Sequence, residues 1–165
     1  MNGAHLEFGH IAIHYLTKEG DAFKVTARLL NAGGGDTFGK TAKWEIRYDL
    51  DGVPDIWTNS GFSHMGCSID SHDLIRLSAG KPELVAQNVT TSLSREPEEG
   101  EAASEFKVTG KVIPIKPGEA FNVSYSGRVT GTLHYQYVLE NYDVGLSNTI
   151  PGQDTDQALK AKISC

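Results

Sequence analysis

VTGKVIPIKPGEAFNVSYSGRVTGTLHYQYVLENY, residues 108–142, alternates apolar and polar side chains through successive runs separated by turn signals. Phe121, Val123 and Tyr125 fall on one face of an extended chain, with Asn122, Ser124 and Ser126 on the other. Successive side chains of a strand point to opposite faces, so this is the pattern of a half-buried strand. Leu133, Tyr135, Tyr137 and Leu139 repeat it against His134, Gln136 and Val138. Between the runs, Lys116-Pro117-Gly118-Glu119 has proline to preset one turn position and glycine to take positive φ at the next. The stretch reads as sequential antiparallel strands.

Working outward, His10 to Tyr15 alternates as a first strand, Lys18 to Asp21 is a turn, and Phe23 to Leu29 is a second strand. Asn31 to Thr41 is a loop by composition. Trp44 to Leu50 alternates again and stops at Asp51-Gly52, with Ile56-Trp57 as its hairpin partner. From Asn59 to Asp73 the alternation dissolves into Gly, Ser, His and Asp, and Leu74 to Leu77 and Leu84 to Leu93 are less regular strands. The segment 94–104 is a flexible acidic loop by composition. For the tail, Ala158 to Ser164, the alternation of Leu159, Ala161 and Ile163 favours a strand over a short helix capped by Asp154 or Thr155. Residues 1–165 are expected to form a single all-β domain, an antiparallel β-sandwich, Ig-like or related, of about seven to nine strands.

The Pro117-Gly118-Glu119-x-Phe121 turn, the Ser126-Gly127 and Gly131-Thr132 pairs and the Tyr-rich strand after them resemble the later half of ApaG-type β-sandwich domains. Phe23 to Asn31, Trp44 to Ile46 and Asp51-Gly52 are similar to the earlier half. The resemblance implies a sandwich, carries no functional residue, and leaves Gly61 to Glu105 as an insertion.

The formal net charge is -6, and no block of lysine and arginine offsets it, so a sequence-independent nucleic-acid binder is not expected. No apolar run approaches the ~20 residues of a membrane-spanning helix. The start, MNGAHLEFGHIAIHYL, lacks the basic region and long apolar centre of a signal peptide, which makes the cytoplasm the default expectation. The spacing of Cys67 and Cys165 demands no bridge, and two reduced thiols are expected.

Gly34 to Thr41, GGDTFGKT, matches the phosphate-binding pattern G-x-x-x-x-G-K-[ST]. That loop needs a buried parallel strand before it and a helix starting at its lysine. Here a half-solvated strand precedes it and the alternating Trp44 to Tyr48 follows, which favours a glycine-rich hairpin loop. Asp49, Asp51 and Asp55 could give a hard cation a minority of its oxygens, but Asp-Gly after a strand is itself a turn signal. His64, Cys67, Asp70, His72 and Asp73 are metal-capable types without a closed zinc spacing. Trp57, Tyr135, Tyr137 and Tyr142 could form an aromatic binding face, although sandwich aromatics more often fill the core.

With no coherent catalytic set, no catalytic, cofactor-binding or metal residue is assigned. The expected function is a non-enzymatic binding or assembly module that recognises a protein or carbohydrate through loops or a sheet edge. The alternative is a small enzyme, phosphate-handling at Gly34–Thr41 or metal-assisted around His64–Asp73. A membrane-active β-protein is the third reading.

Overall fold

A computed structural model describes residues 12–30, 43–59, 61–64, 66–78, 80–96, 106–139 and 156–165. The strands there are β1 (Ile13–Glu19), β2 (Ala22–Leu29), β3 (Trp44–Arg47), β4 (Asp55–Asn59), β5 (Phe62–His64), β6 (Cys67–Ser78), β7 (Lys81–Arg95), β8 (Phe106–Lys116), β9 (Ala120–Gly127) and β10 (Gly131–Gln136). One short helix, α1 (Gln157–Lys162), follows. β1 and β2 pair as a separate antiparallel hairpin, and the remaining strands form one antiparallel sheet in the order β10-β9-β8-β7-β6-β4-β3, with β5 beside β6. The protein is all-β and sandwich-like. Its pairing follows chain order, a meander, where an immunoglobulin domain uses Greek-key connections. No helix among the described residues is long and apolar enough to cross a membrane.

From 108 to 136 the stretch folds as its alternation requires; the strand ends at Gln136, and Leu139, expected on the same run, takes φ 48°. Phe121, Val123, Tyr125, Leu133 and Tyr135 are buried, and the Phe121 and Tyr135 rings stack with centroids 5.0 Å apart. Gly118 takes φ 73° and the Glu119 amide donates to the Lys116 carbonyl at 3.0 Å, closing the turn between β8 and β9. After β10 the amides of Val138 and Leu139 donate to the carbonyls of Val85 and Leu84, so the chain returns onto β7. On the opposite face of β6 and β7, the hairpin brings Leu29 against Ile75 and Leu84, forming a smaller core. Its far end is uncovered, with Phe23 68% and Leu16 51% exposed. The expected first strand is present from Ile13; His10 and Ile11 lie outside the described residues, as do Tyr142 and most of the acidic loop 94–104.

Where alternation dissolved, the structure has strands. β5 and the long β6 occupy most of the stretch from Asn59 to Asp73. The register of β6 on β7 shifts between Asp70 and Ser71, between His72 and Leu74, and between Leu74 and Ile75. Each shift breaks the two-residue period, and buried Ser71, Asp73 and Arg76 stand where apolar residues would mark a strand. Nor is Gly61 to Glu105 an insertion in this fold. It supplies the central strands β6 and β7, and with them Ile69, Leu74, Val85, Val89 and Leu93 of the main core.

The tail is a helix. Asp156, one residue beyond the caps considered, accepts a hydrogen bond from the Leu159 amide at 2.9 Å and starts α1. Leu159 and Ile163 are buried four positions apart, the helical repeat, whereas Ala161 is exposed. Leu159 lies so close over Gly131 that a Cβ there would meet its Cδ2 at 2.8 Å. Just beyond the helix, Cys165 is bridged to Cys67 at the start of β6, contrary to the expectation of free thiols. The bridge spans 98 residues and ties the end of the chain to the sheet.

Two outcomes check this architecture. Val123→Asp puts an unpaired charge at a fully buried position and should cost several kcal/mol, on the order of the whole stability of such a domain. Ser124→Asp points to the other face, opposite Lys111, and should stay within about 0.5 kcal/mol in urea unfolding. Cys165→Ser should lower stability by roughly 2–4 kcal/mol, because opening so long a loop enlarges the unfolded ensemble. Intact mass under non-reducing conditions should show wild type lighter by two hydrogens than its reduced form, and equal masses would refute the bridge.

Candidate functional site

Two of the acidic positions after β3, Asp51 and Asp55, gather around the guanidinium of Arg76. Arg76 of β6 donates from Nε to Asp55 Oδ1 at 3.0 Å and from Nη2 to Asp51 Oδ2 at 2.8 Å. Asp51 also accepts the amides of Val53 and Gly118. Burial alone would raise the Asp51 carboxyl, but these donors and the Arg76 charge outweigh it and hold the group low. Burial works against the guanidinium too, yet Asp55 and Asp51 more than offset it and raise Arg76 above its ordinary value. Asp49 instead binds Arg47, whose Nε donates to Oδ1 at 3.0 Å.

The residues considered around His64 to Asp73 part company. Cys67 is in the disulfide, and His64 pairs with it across β5 and β6. Asp70 is exposed, while His72 Nε2 lies 2.9 Å from Thr91 Oγ1, with burial lowering its pKa. Asp73 is buried, and its Oδ1 accepts the amide of Asn88, which sits at φ 54° on β7 opposite the irregular part of β6. A bulge leaves an amide without a ladder partner, and the carboxylate supplies one. Among the described residues no group of three or more His, Cys, Asp or Glu could hold a metal ion. Gly34–Thr41 lies outside the described residues, and the elements on either side are antiparallel strands. Trp57 and Tyr135 are core residues, and Tyr137 is half-buried under Arg76.

The surface that stands out is the outer edge of β3, unpaired among the described residues. Trp44, Ile46 and Tyr48 form a row at every second position and are 65%, 47% and 60% exposed. The Asn59 amide donates to the Lys43 carbonyl, so odd-numbered residues of this strand bond inward to β4. By the alternation of an antiparallel ladder, Trp44 and Ile46 direct their amides and carbonyls outward. On the face opposite that row stand Glu45 and Arg47, and the Arg47 guanidinium lies 3.7 Å over the Trp57 ring.

Trp44 borders a cleft on each side of the sheet. The larger, about 320 Å³, is the more polar of the two, lined by Lys43, Glu45, Asn59, His72 and Trp57 as well as Trp44. The smaller, about 200 Å³, is mostly apolar, with Ala12, Ile13, Ile56 and Thr58. Edge strands of folded proteins are usually short, charged or covered, because an open apolar edge recruits another strand. β3 is short, but its outward row is apolar. The alternation of Trp44 to Leu50 was legible in sequence; that one side of it is uncovered among the described residues was not. No protein-family model, curated protein or solved structure matches the chain.

Asp73 offers a pH test of this map. Burial pushes its carboxyl up to about 6, against the opposing hydrogen bonds from the Asn88 amide and Gln87. With the folded value above the unfolded one of 3.8, the folded protein takes up this proton first as pH falls. Asp73 therefore costs stability above about pH 6, and the cost fades toward about pH 4. Asp73→Asn keeps an acceptor for Asn88 and should be more stable than wild type at about pH 7, by up to roughly 3 kcal/mol. Urea midpoints of the two proteins should converge as pH is lowered, and a pH-independent gap would contradict the burial of this carboxyl.

Proposed function

We propose that the protein is a non-enzymatic recognition or assembly module that takes a protein partner as an added strand along the outer edge of β3. The observation that carries this reading is the exposed row Trp44, Ile46, Tyr48 beside an edge on which Trp44 and Ile46 direct amides and carbonyls away from β4, with no strand paired there among the described residues. Strand addition draws affinity from main-chain hydrogen bonds and specificity from pockets that take alternate side chains. β3 offers both, with the apolar cleft on one side of the edge and the more polar cleft on the other. A partner strand with alternating apolar and polar residues suits these two sides.

Ile46→Pro tests it. The Ile46 amide points away from β4, so proline removes an outward donor without breaking the β3–β4 ladder, and edge strands tolerate proline. A random peptide library panned on the wild-type protein should yield alternating sequences whose binding is lost in this variant while its circular dichroism and melting are retained. Selected peptides that bind both proteins equally would sink the reading. A carbohydrate partner is the second reading, supported by exposed Trp44 above the more polar cleft. Glycan binding that survives Ile46→Pro and disappears in Trp44→Ala would select it.

A further inference from the structure

The sequence of the β3 edge, Lys43-Trp44-Glu45-Ile46-Arg47-Tyr48-Asp49, is complementary to its own reverse. We propose that the strand added to β3 is the β3 of a second copy of this chain, antiparallel about a two-fold axis through Ile46. This rests on the reading of β3 as a strand-accepting edge and names the partner.

In that register Ile46 faces Ile46 of the other copy, and Trp44 faces Tyr48 on both sides of the axis. Glu45 then stands opposite Arg47, again twice, while Asp49, in the turn after β3, lies beyond the paired strand. Directly opposed side chains of an antiparallel pair have Cβ atoms about 4.5–5.5 Å apart, close enough for every one of these pairs to interact. The backbone agrees. Trp44 and Ile46 direct their amides and carbonyls outward, so a hydrogen-bonded pair centred on Ile46 uses groups that β4 leaves open.

Neighbouring two-fold registers use the same outward backbone groups and fail on charge. An axis through Glu45 sets Glu45 on Glu45 and Lys43 against Arg47, and one through Arg47 sets Arg47 on Arg47. A parallel in-register pair sets Glu45 on Glu45 and Arg47 on Arg47. Like charges directly opposed are destabilising, so the pattern selects one register and disfavours the others. The result is an isologous interface in which the large sheets of the two copies run on as one.

The test is a charge exchange read by sedimentation velocity at low salt, with melting curves to confirm folding. Glu45→Arg opposes two arginines and Arg47→Glu opposes two glutamates, so each single variant should self-associate more than about tenfold more weakly than wild type. Mixing the two singles should restore a heterodimer, and the double exchange, Glu45→Arg with Arg47→Glu, should restore the homodimer. A wild type that stays monomeric overturns the inference; if it still binds the selected peptides in an Ile46-dependent way, the strand-accepting reading stands without it. Dimers that persist in both singles and in Ile46→Pro overturn it as well, by placing the interface elsewhere.

Discussion

Arg76 joins parts of the chain that no local rule would bring together. Its guanidinium binds Asp55 at the start of β4 and Asp51 in the turn after β3, and lies 5.0 Å from the centre of the Tyr137 ring beyond β10. Through Asp51 the tie reaches the Gly118 amide in the turn between β8 and β9. One buried cation thus fixes both ends of the meander against its middle. A buried charge is tolerated only when paired and fully hydrogen-bonded, and removing either partner of such a pair costs about 3–5 kcal/mol.

The central strand β6 is a compromise between pairing and polarity. Its register shifts accompany buried Ser71, Asp73 and Arg76, and around the middle shift a polar side chain satisfies a backbone group outside the ladder. That side chain is Asp73, which holds the Asn88 amide. Irregularity of this kind bends a sheet, and here it lets β6 and β7 carry cores on both faces: the main one with Leu74 and Val85, the smaller one with Ile75 and Leu84. The disulfide and α1 then close the sheet from its other side, through Cys165, Leu159 and Ile163.

The exposed edge follows from the same economy of cover. Among the described residues the hairpin of β1 and β2 packs on Ile75, Leu84 and Ile56 on its face of the sheet, and Trp44 and Ile46 remain largely exposed. On the opposite face Arg47 lies over Trp57 and binds Asp49, which keeps that side of β3 ordered and charged. The strand is therefore held by β4, while Trp44, Ile46 and Tyr48 are exposed among the described residues.

Sequence alone determined the all-β class, the hairpin of β1 and β2, the pairing of Ile56-Trp57 with β3 and the strands from 108 to 136, because in each the two-residue period runs long enough to mark a face. It also supplied the self-complementary order of charges in Lys43 to Asp49. Tertiary structure decided what distance along the chain concealed: that Asp51 and Asp55 answer Arg76 rather than a metal, that Cys67 meets Cys165, and that Leu159 and Ile163 face the core from a helix. It also decided that β3 is an edge. A strand's alternation states which residues share a face, whereas the presence or absence of a neighbour beyond it is settled only when the whole sheet is assembled.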